Sequence, residues 1–457
     1  MKHTKLTTLF TLLLLLMIAG CKTKKKTDEN SYSLIKGNTL DGWTQKGGYA
    51  KYTLEDGVVV GETVPEDSPN SFLTTNQLYD DFILELDYKV DPSMNSGIQI
   101  RSNSKPEFQD GRVHGYQVEI DPSDRSWSGG IYEEARRGWL VSLEENQTAR
   151  EAFKQNEWNH VRVEAINDSL KVWLNDVPTA FLIDDETKTG FIALQVHRIK
   201  PEEKPGKKIM WKNIMIQTEN LEGALRKMDL NPVRTKNNLT SREKENGWKM
   251  LWDGKSTNGW KGAKLDSFPN EGWVIEDGHL TVLSTGGKES DAGGDIVTEK
   301  LYKDFELKVD FQLTKGANSG IKYYVDTDLN KGPGSSIGLE YQILDDNNHP
   351  DAKLGNHEGS RTLASLYDLI QADVNKSVNQ IGQWNSAHII SKNGVVTHFL
   401  NDKKVLEYDR FSENFKKLVS ESKYDKWPDF GQLEKGQILL QDHGDRVLFK
   451  NIKIKEL

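Results

Sequence analysis

The chain contains one module twice, and this duplication constrains the fold more than any single motif. Asp81-Phe82-Ile83-Leu84-Glu85-Leu86-Asp87 returns as Asp304-Phe305-Glu306-Leu307-Lys308-Val309-Asp310. Asn95-Ser96-Gly97-Ile98 returns as Asn318-Ser319-Gly320-Ile321, at the same offset of 223 positions. Asp41-Gly42-Trp43 is echoed by Asp253-Gly254 and Asn258-Gly259-Trp260, and Trp158-Asn159 by Trp384-Asn385. Leu194-Gln195-Val196-His197 matches Leu440-Gln441-Asp442-His443, and Trp211-Lys212-Asn213-Ile214 matches Phe449-Lys450-Asn451-Ile452. The order never changes, so each copy has to close its own core. The first module is assigned to residues 32–218 and the second to 248–457. Residues 219–247 are charged, carry Pro232 and show no sustained alternation, so they read as a linker with a short helix over Leu221–Leu230.

Within each module the period is two. Phe82–Val90 and Phe305–Leu313 alternate polar and apolar, and Asn-Asp, Asp-Gly and Asn-Gly turns punctuate the runs. Many short strands and few helical stretches predict an all-β sandwich, and the length of each module suits a jelly roll with two broad sheets. The 38 glycines and 12 tryptophans fit a turn-rich protein, with most of the tryptophans expected in the core. Net charge is −9, and the only basic run is Lys24–Lys26, so nucleic acid is not an expected partner.

The N-terminus reads as an export signal. Lys2 and Lys5 precede an apolar run from Leu12 to Ala19, too short to span a bilayer comfortably, and Ile18-Ala19-Gly20-Cys21 resembles a bacterial lipobox. The expectation is a signal peptide over residues 1–20, a lipid on Cys21, a flexible tether over 21–31, and a cell-envelope location facing the periplasm or outer membrane. Cys21 is the single cysteine, so the chain has no internal disulfide and no cysteine nucleophile.

Strand parity places the chemistry. In Gly115–Asp121, Tyr116, Val118 and Ile120 take one face while Gln117, Glu119 and Asp121 take the other. In Leu339–Ile343, Glu340 and Gln342 oppose Leu339, Tyr341 and Ile343. At the shared offset Gln117 matches Glu340 and Glu119 matches Gln342, so each module has one Glu and one Gln in swapped order. Gln195 with His197, Gln441 with His443, and Gln99 with Arg101 also share faces. An ordinary solvated face favours Lys, Glu, Thr and Ser. Gln and His repeated at matched positions instead suggest a groove that binds a polyhydroxylated ligand. The segment Trp127–Trp139, with Tyr132, Arg136 and Arg137, reads as a loop lining that groove, with Ala364–Asp368 as its counterpart. Asp345, Asp346 and His349 form a turn that reaches the ligand. No cofactor and no metal site are assigned, and a divalent metal is left open.

These motifs together resemble the 3-keto-disaccharide hydrolase domain family, also described as 3-keto-glucoside 1,2-lyase and 3-keto-2-hydroxyglucal hydratase. The resemblance runs through Asn318–Ile321, Gly338–Asp345, Trp384-Asn385 and Leu440–Gly444, and through Gly115–Asp121 and Ser128–Tyr132 in the first copy. It implies a concanavalin-like jelly roll in each module. It also implies cleavage of glycosides already oxidised at C3, with an upstream sugar C3-oxidoreductase as a partner. In that chemistry the 3-keto group acidifies C2–H, a base removes the proton, the anomeric substituent leaves, and water adds back. Glu119 and Glu340 are the expected bases, and His197 and His443 the acids or electrophiles. Arg101 is the expected enolate stabiliser in the first module, where the second has Tyr324. Substrate contacts are expected from Arg101, Gln117, Asp121, Trp127, Tyr132, Arg136, Arg137 and Gln195, and from Gln342, Asp345, His349 and Gln441. Two other readings stand beside this one. One is a two-carboxylate glycosidase, because Glu119-Ile120-Asp121 followed by Asp124 is similar to the Glu-x-Asp-x-x-Glu strand of laminarinase-like jelly rolls. The other is a sugar-binding protein without catalysis.

Overall fold

A computed structural model describes residues 30–64, 68–235, 237–289, 293–427 and 429–457. Cys21, the signal peptide and nearly all of the tether lie outside these residues. Among those described, no helix is long and apolar enough to cross a membrane.

Each module is a sandwich of two sheets, antiparallel apart from one short parallel pair at an edge of the first. In the first, Phe82–Val90 lies between Asn159–Ile166 and Lys208–Gln217 in a nine-stranded sheet. The facing seven-stranded sheet centres on Ser96–Asn103, flanked by His114–Ile120 and Phe191–Val196. The second module repeats the plan. Phe305–Leu313 lies between Trp384–Lys392 and Val447–Glu456, and faces Asn318–Asp326 between Ile337–Leu344 and Gln437–Leu440. The alternating residues meet where parity requires. Leu84, Leu86 and Tyr88 pack toward Ile98, Ile100, Tyr116, Val118 and Ile120 in one core. Leu307, Val309 and Phe311 pack toward Ile321, Tyr323, Tyr341 and Ile343 in the other. At roughly 1.5–3 kcal/mol per fully buried large side chain, these cores supply most of the stabilisation of each module.

Several repeated motifs build the fold and not the site. Asn213 and Asn451 sit at bulges with φ of 52° and 51°. Their amides donate to Asp87 Oδ2 at 2.6 Å and Asp310 Oδ2 at 2.7 Å. Asn159 and Asn385 each accept from a second asparagine, Asn175 at 2.8 Å and Asn401 at 2.9 Å, clamping matching loops.

A second pair of bulges corrects one expectation. Parity places Arg101 beside Gln99 on the groove face, but the strand shifts register after Ile100 and Arg101 adopts φ 45°. Its side chain is thereby turned away. It is fully buried and donates to Asp80 O (2.7 Å), Asn167 O (2.6 Å) and Asp81 Oδ1 (2.8 Å). Arg101 is structural. Tyr324 repeats the bulge with φ 52°, and its hydroxyl meets Ser391 Oγ at 2.7 Å. Both bulges need a glycine beside them. A Cβ on Gly190 would lie 2.3 Å from the Arg101 carbonyl carbon, and one on Gly436 would lie 2.3 Å from Tyr324 Cα.

The segment between the modules is strapped to both of them. Val233–Arg234 pairs in parallel with Val177–Ile183. Thr240 Oγ1 donates to Asp168 (2.8 Å) and Ser241 N to Asp185 (2.6 Å) on the first module. Arg234 reaches Asp402 (3.1 Å) and Glu243 accepts from Lys453 (2.8 Å) on the second. The expected helix over Leu221–Leu230 is only a 3-10 turn at Glu222–Ala224. The helix forms instead at Ser241–Glu245, where Thr240 and Glu243 make a capping box.

Gly190→Ala or Gly436→Ala should destabilise the fold by about 2–3 kcal/mol, because backbone and not a flexible side chain blocks the new methyl. Gly223→Ala, which meets nothing within 4 Å, is the control. Equal denaturation midpoints for all three variants would contradict this role for the bulges.

Candidate functional site

The outer face of the smaller sheet in each module forms the floor of a cleft, and the Asn-Ser-Gly motif explains how. Ser96 Oγ donates to Gln195 O at 2.7 Å, and Ser319 Oγ to Gln441 O at 2.8 Å, tying the central strand to the Gln-x-His strand. The glycine leaves the space above it open. A Cβ on Gly97 would lie 2.3 Å from Gln117 Cδ, and one on Gly320 would lie 2.3 Å from Glu340 Oε1. The Gln and Glu side chains of the neighbouring strand therefore lie flat across glycine.

In the first module a cleft of about 830 Å3 is lined by Gln117, Glu119, Gln195 and His197, as parity predicts, and by Tyr132 of the segment expected beside them. Glu119 is buried and accepts from Asn95 Nδ2 (2.7 Å) and Gln117 Nε2 (2.9 Å). Gln117 in turn accepts from Gln99 (2.6 Å), which accepts from Ser102 Oγ (2.7 Å). Burial pushes the Glu119 carboxyl up to about 7, and the two amide donors only partly oppose it. The carboxyl thus titrates near neutrality, as a general base should. Gln195 places both amide atoms in buried positions without a protein partner, an arrangement that awaits a ligand's hydroxyls. His197 Nδ1 lies 2.7 Å from Arg198 O. A carbonyl only accepts, so Nδ1 carries the proton and Nε2 is the open acceptor. Burial lowers the His197 pKa, which favours this neutral form.

Other expected residues stand behind the cleft. The Asp121 carboxylate accepts from Ser123 Oγ (2.6 Å) and Arg125 Nε (2.7 Å). Trp127 packs edge-on against Trp139 at 4.7 Å, and Arg125 lies over both rings at 4.7 and 5.0 Å. Asp121 and Trp127 therefore hold Arg125, and it is Arg125 and Trp139 that reach the cleft. Arg125 Nη2 stands 3.9 Å from Glu119 Oε1. Arg136 Nη2 donates to Glu133 Oε1 (2.6 Å) and Thr187 Oγ1 (2.8 Å), and Arg137 Nη2 to Glu133 Oε1 (2.9 Å) and Asp184 Oδ2 (2.5 Å). They brace the loop and do not line the cleft.

In the second module a smaller pocket of about 300 Å3 is lined by Glu340, Gln342, Gln441 and His443, together with Lys322 and Tyr367. Glu340 is directly opposite Lys322 in the ladder, and their charged atoms are 3.5 Å apart. Lys322 matches Gln99 of the first module, so the neutral Gln99–Gln117 pair is here an ion pair. Lys322 Nζ also donates to Ser336 O (3.2 Å) and to Ser335 Oγ, whose hydroxyl is held by the buried Asp295. Burial raises the Glu340 pKa, opposed by Lys322, Lys423 and His443. Turning the Gln342 amide to satisfy both its ends lets it donate to Ser319 O (3.1 Å) and Glu340 Oε1 (3.3 Å), which parallels Gln117 and Glu119. Gln441 Oε1 and His443 Nδ1 are buried without a protein partner. Tyr367 N donates to Glu340 O (3.0 Å), as Tyr132 pairs opposite Gln117 in the first module, its ring carries Lys423 Nζ at 4.3 Å, and Trp427 also lines the pocket.

Asp345 closes the turn it begins, accepting from Gly316 N (2.7 Å) and Asn348 Nδ2 (2.8 Å), and does not line the pocket. His349 caps Asp351 N (3.2 Å) with its ring 6.2 Å from that of His443, so it borders the site indirectly. Among the described residues no group of three His, Cys, Asp or Glu side chains is placed to hold a metal. In the first module Asp121 is committed to its turn through Ser123 and Arg125, and Glu134 lines the same cleft as Glu119 from a position opposite Gly115. Parity missed Asn95, Arg125, Trp139, Lys322, Lys423 and Trp427. Lys322 was within reach of it, since it shares the groove face with Gly320.

Residues 30–217 and 247–455 match the family described as 3-keto-alpha-glucoside-1,2-lyase-like domain. A 3-keto-disaccharide hydrolase of Bacteroides thetaiotaomicron is 39% identical over 231 residues, spanning 46% of this chain and 79% of that protein. Two crystal structures from Parabacteroides distasonis are similar as well. One is 34% identical and covers 49% of this chain and 100% of its own, with a TM-score of 0.43. The other is 29% identical and covers 44% of this chain and 100% of its own, with a TM-score of 0.31. The chain belongs to the 3-keto-alpha-glucoside-1,2-lyase-like family and carries two copies of its domain.

Proposed function

We propose that this protein is a glycoside-cleaving enzyme acting on sugars oxidised at C3, by C2 deprotonation, loss of the anomeric substituent and return of water. The observation that carries the reading is a buried, desolvated glutamate in each cleft, Glu119 and Glu340, beside a cation and a glutamine with unpartnered buried amide atoms. A C2–H next to a ketone is acidic enough for a carboxylate to remove only if the enolate oxygen is stabilised. Arg125 and Lys322 supply that charge at 3.9 and 3.5 Å from the respective glutamates. Gln195 and Gln441 bind the ring hydroxyls. His197, with its open Nε2, and His443 handle the proton of the leaving oxygen or of water. Supply of the substrate requires an oxidoreductase that converts a sugar C3 hydroxyl to a ketone. The protein works at the cell envelope, tethered by lipid on Cys21.

The direct test incubates the chain with a 3-keto-glucoside and with its unoxidised parent, following release of the aglycone. Release from the keto substrate alone, lost by at least about 100-fold in the Glu119→Gln/Glu340→Gln double variant, is expected. Release from the parent glycoside would refute the elimination chemistry.

Titration gives an independent check. The folded state holds the Glu119 proton up to about pH 7, well above the ordinary 4.5. The associated stability is fully present below about pH 4.5 and is lost as pH rises from there to about 7, on the order of 3 kcal/mol in all. Thermal midpoints of the unaltered chain should therefore fall relative to Glu119→Gln between about pH 4.5 and 7 and level off above, and parallel curves across that window would contradict a raised pKa. For the anchor, Cys21→Ser should abolish incorporation of labelled fatty acid in cells and release the protein from membranes. Undiminished labelling would place any lipid elsewhere.

A further inference from the structure

The lysine of the second pocket is held from behind. Its Nζ donates to Ser336 O at 3.2 Å and to Ser335 Oγ, while Glu340 Oε2 lies 3.5 Å away. An ammonium has three protons. Two are committed to the serines, so the third is left for the pocket, beside Glu340 and any ligand oxygen placed there. Ser335 Oγ in turn donates to Asp295 Oδ2. Asp295 also accepts from Ser336 N (3.1 Å) and Asp442 N (3.0 Å), and three donors with none returned mark it as a carboxylate. Burial raises its pKa, and Lys322 is the foremost of the groups opposing that rise. Asp295 does not line the pocket of Lys322. It lines a separate chamber of about 440 Å3 with Lys264, Gly294 and Gly334. Lys264 Nζ donates to the carbonyls of Gly332 and Gly334, and Glu289 accepts from Ser335 N (3.2 Å), so the loop that presents Ser335 is fastened around Pro333. The first module has neither charge. Lys322 matches Gln99, and because Leu73 pairs with Leu194 as Ile296 pairs with Leu440, Asp295 matches Phe72. The acid and the lysine occur together in one copy and are replaced together in the other.

We infer that Asp295 is a positioning residue of the second pocket: through Ser335 it holds Lys322 as an ammonium with one N–H aimed at the substrate oxygen that becomes negative. This rests on the function proposed above, in which that oxygen is the enolate. A lysine is a point charge on a flexible stem. Without its rear anchor it would swing onto Glu340 and pair with the very base it has to assist. Held at Ser335 and Ser336, it stays 3.5 Å from Glu340, longer than an ordinary hydrogen bond, and a substrate oxygen can take the open proton. The other charges around Lys322 are Glu289 and Asp442 beside Asp295, His443 from the Gln-x-His strand, and Lys423 and Lys426 across the pocket. Tyr367 and Tyr424 stand there as neutral phenols, since burial drives their pKa values up. Asp295 is the carboxylate that reaches Lys322 from outside the pocket, where no substrate can displace it.

The test treats the full mature chain with acetic anhydride at about pH 8, where exposed lysines are mostly ammonium, and reads each lysine from peptide masses. Lys322 lines the pocket and is open to the reagent. An ammonium does not react, so Asp295→Asn and Ser335→Ala should speed acetylation of Lys322 by about 10-fold. Ser335→Thr keeps the hydroxyl and should not. Lys453 is buried in the same module and paired with Glu243, so it reports any opening of the fold. A rise at Lys322 alone is expected. An equal rise at Lys453 would mean that Asp295 only stabilises the module, and no rise at either would mean that it does not act on Lys322; each overturns the inference. Turnover is then measured in a Glu119→Gln background, which isolates the second pocket. With a 3-keto-glucoside, Asp295→Asn should lower kcat on the order of 10-fold with KM nearly unchanged, and Ser335→Thr should hold both. A raised KM at full kcat would overturn the inference, because the charge would then serve binding alone. Faster acetylation in variants of a chain that, unaltered, turns over no 3-keto-glucoside would sink the function proposed above and leave the coupling of Asp295 to Lys322 standing.

Discussion

Everything at the two clefts depends on a side chain lying over a glycine. Gly97 and Gly320 supply the room in which Gln117 and Glu340 lie flat, each 2.3 Å from where a methyl would stand. The serine before each glycine fixes the adjoining Gln-x-His strand through its carbonyl. One tripeptide thus sets both the depth of the floor and the position of the wall. Any larger residue at the glycine would lift the polar side chain toward solvent and weaken the desolvation on which its chemistry relies.

That desolvation acts differently in the two copies. Glu119 is held by neutral amides, with Arg125 at 3.9 Å. Glu340 faces a buried ammonium that is itself anchored through Ser335 and Ser336 to Asp295. Neutral donors leave a carboxyl free to exchange its proton near neutrality, whereas an adjacent ammonium favours the ionised form. A common scaffold therefore presents two electrostatic environments.

The strands and the groove face were legible because period-two alternation is a local property, read correctly in Phe82–Val90, Phe305–Leu313 and Gly115–Asp121. Arg101 was misplaced because its bulge is set by Gly190, which is distant in sequence and invisible to parity. Arg136 and Arg137 looked like ligand-binding residues until Asp184 and Thr187 came into position to claim them. Lys423 and Trp427 belong to a segment that the first module lacks, so comparing the two copies could not reveal them. In the linker the Thr240–Glu243 capping box was a better helix signal than the leucines of 221–230.

The strapped linker also bears on ligands larger than a single sugar. Hydrogen bonds from Thr240 and Ser241 to one module, and ion pairs from Arg234 and Glu243 to the other, hold the clefts at a set separation. Two sites at a fixed spacing act as a ruler. Any ligand whose span matched that spacing would gain avidity, because its second contact would be made at high effective concentration. A shorter one would meet two independent sites and gain nothing from their being joined.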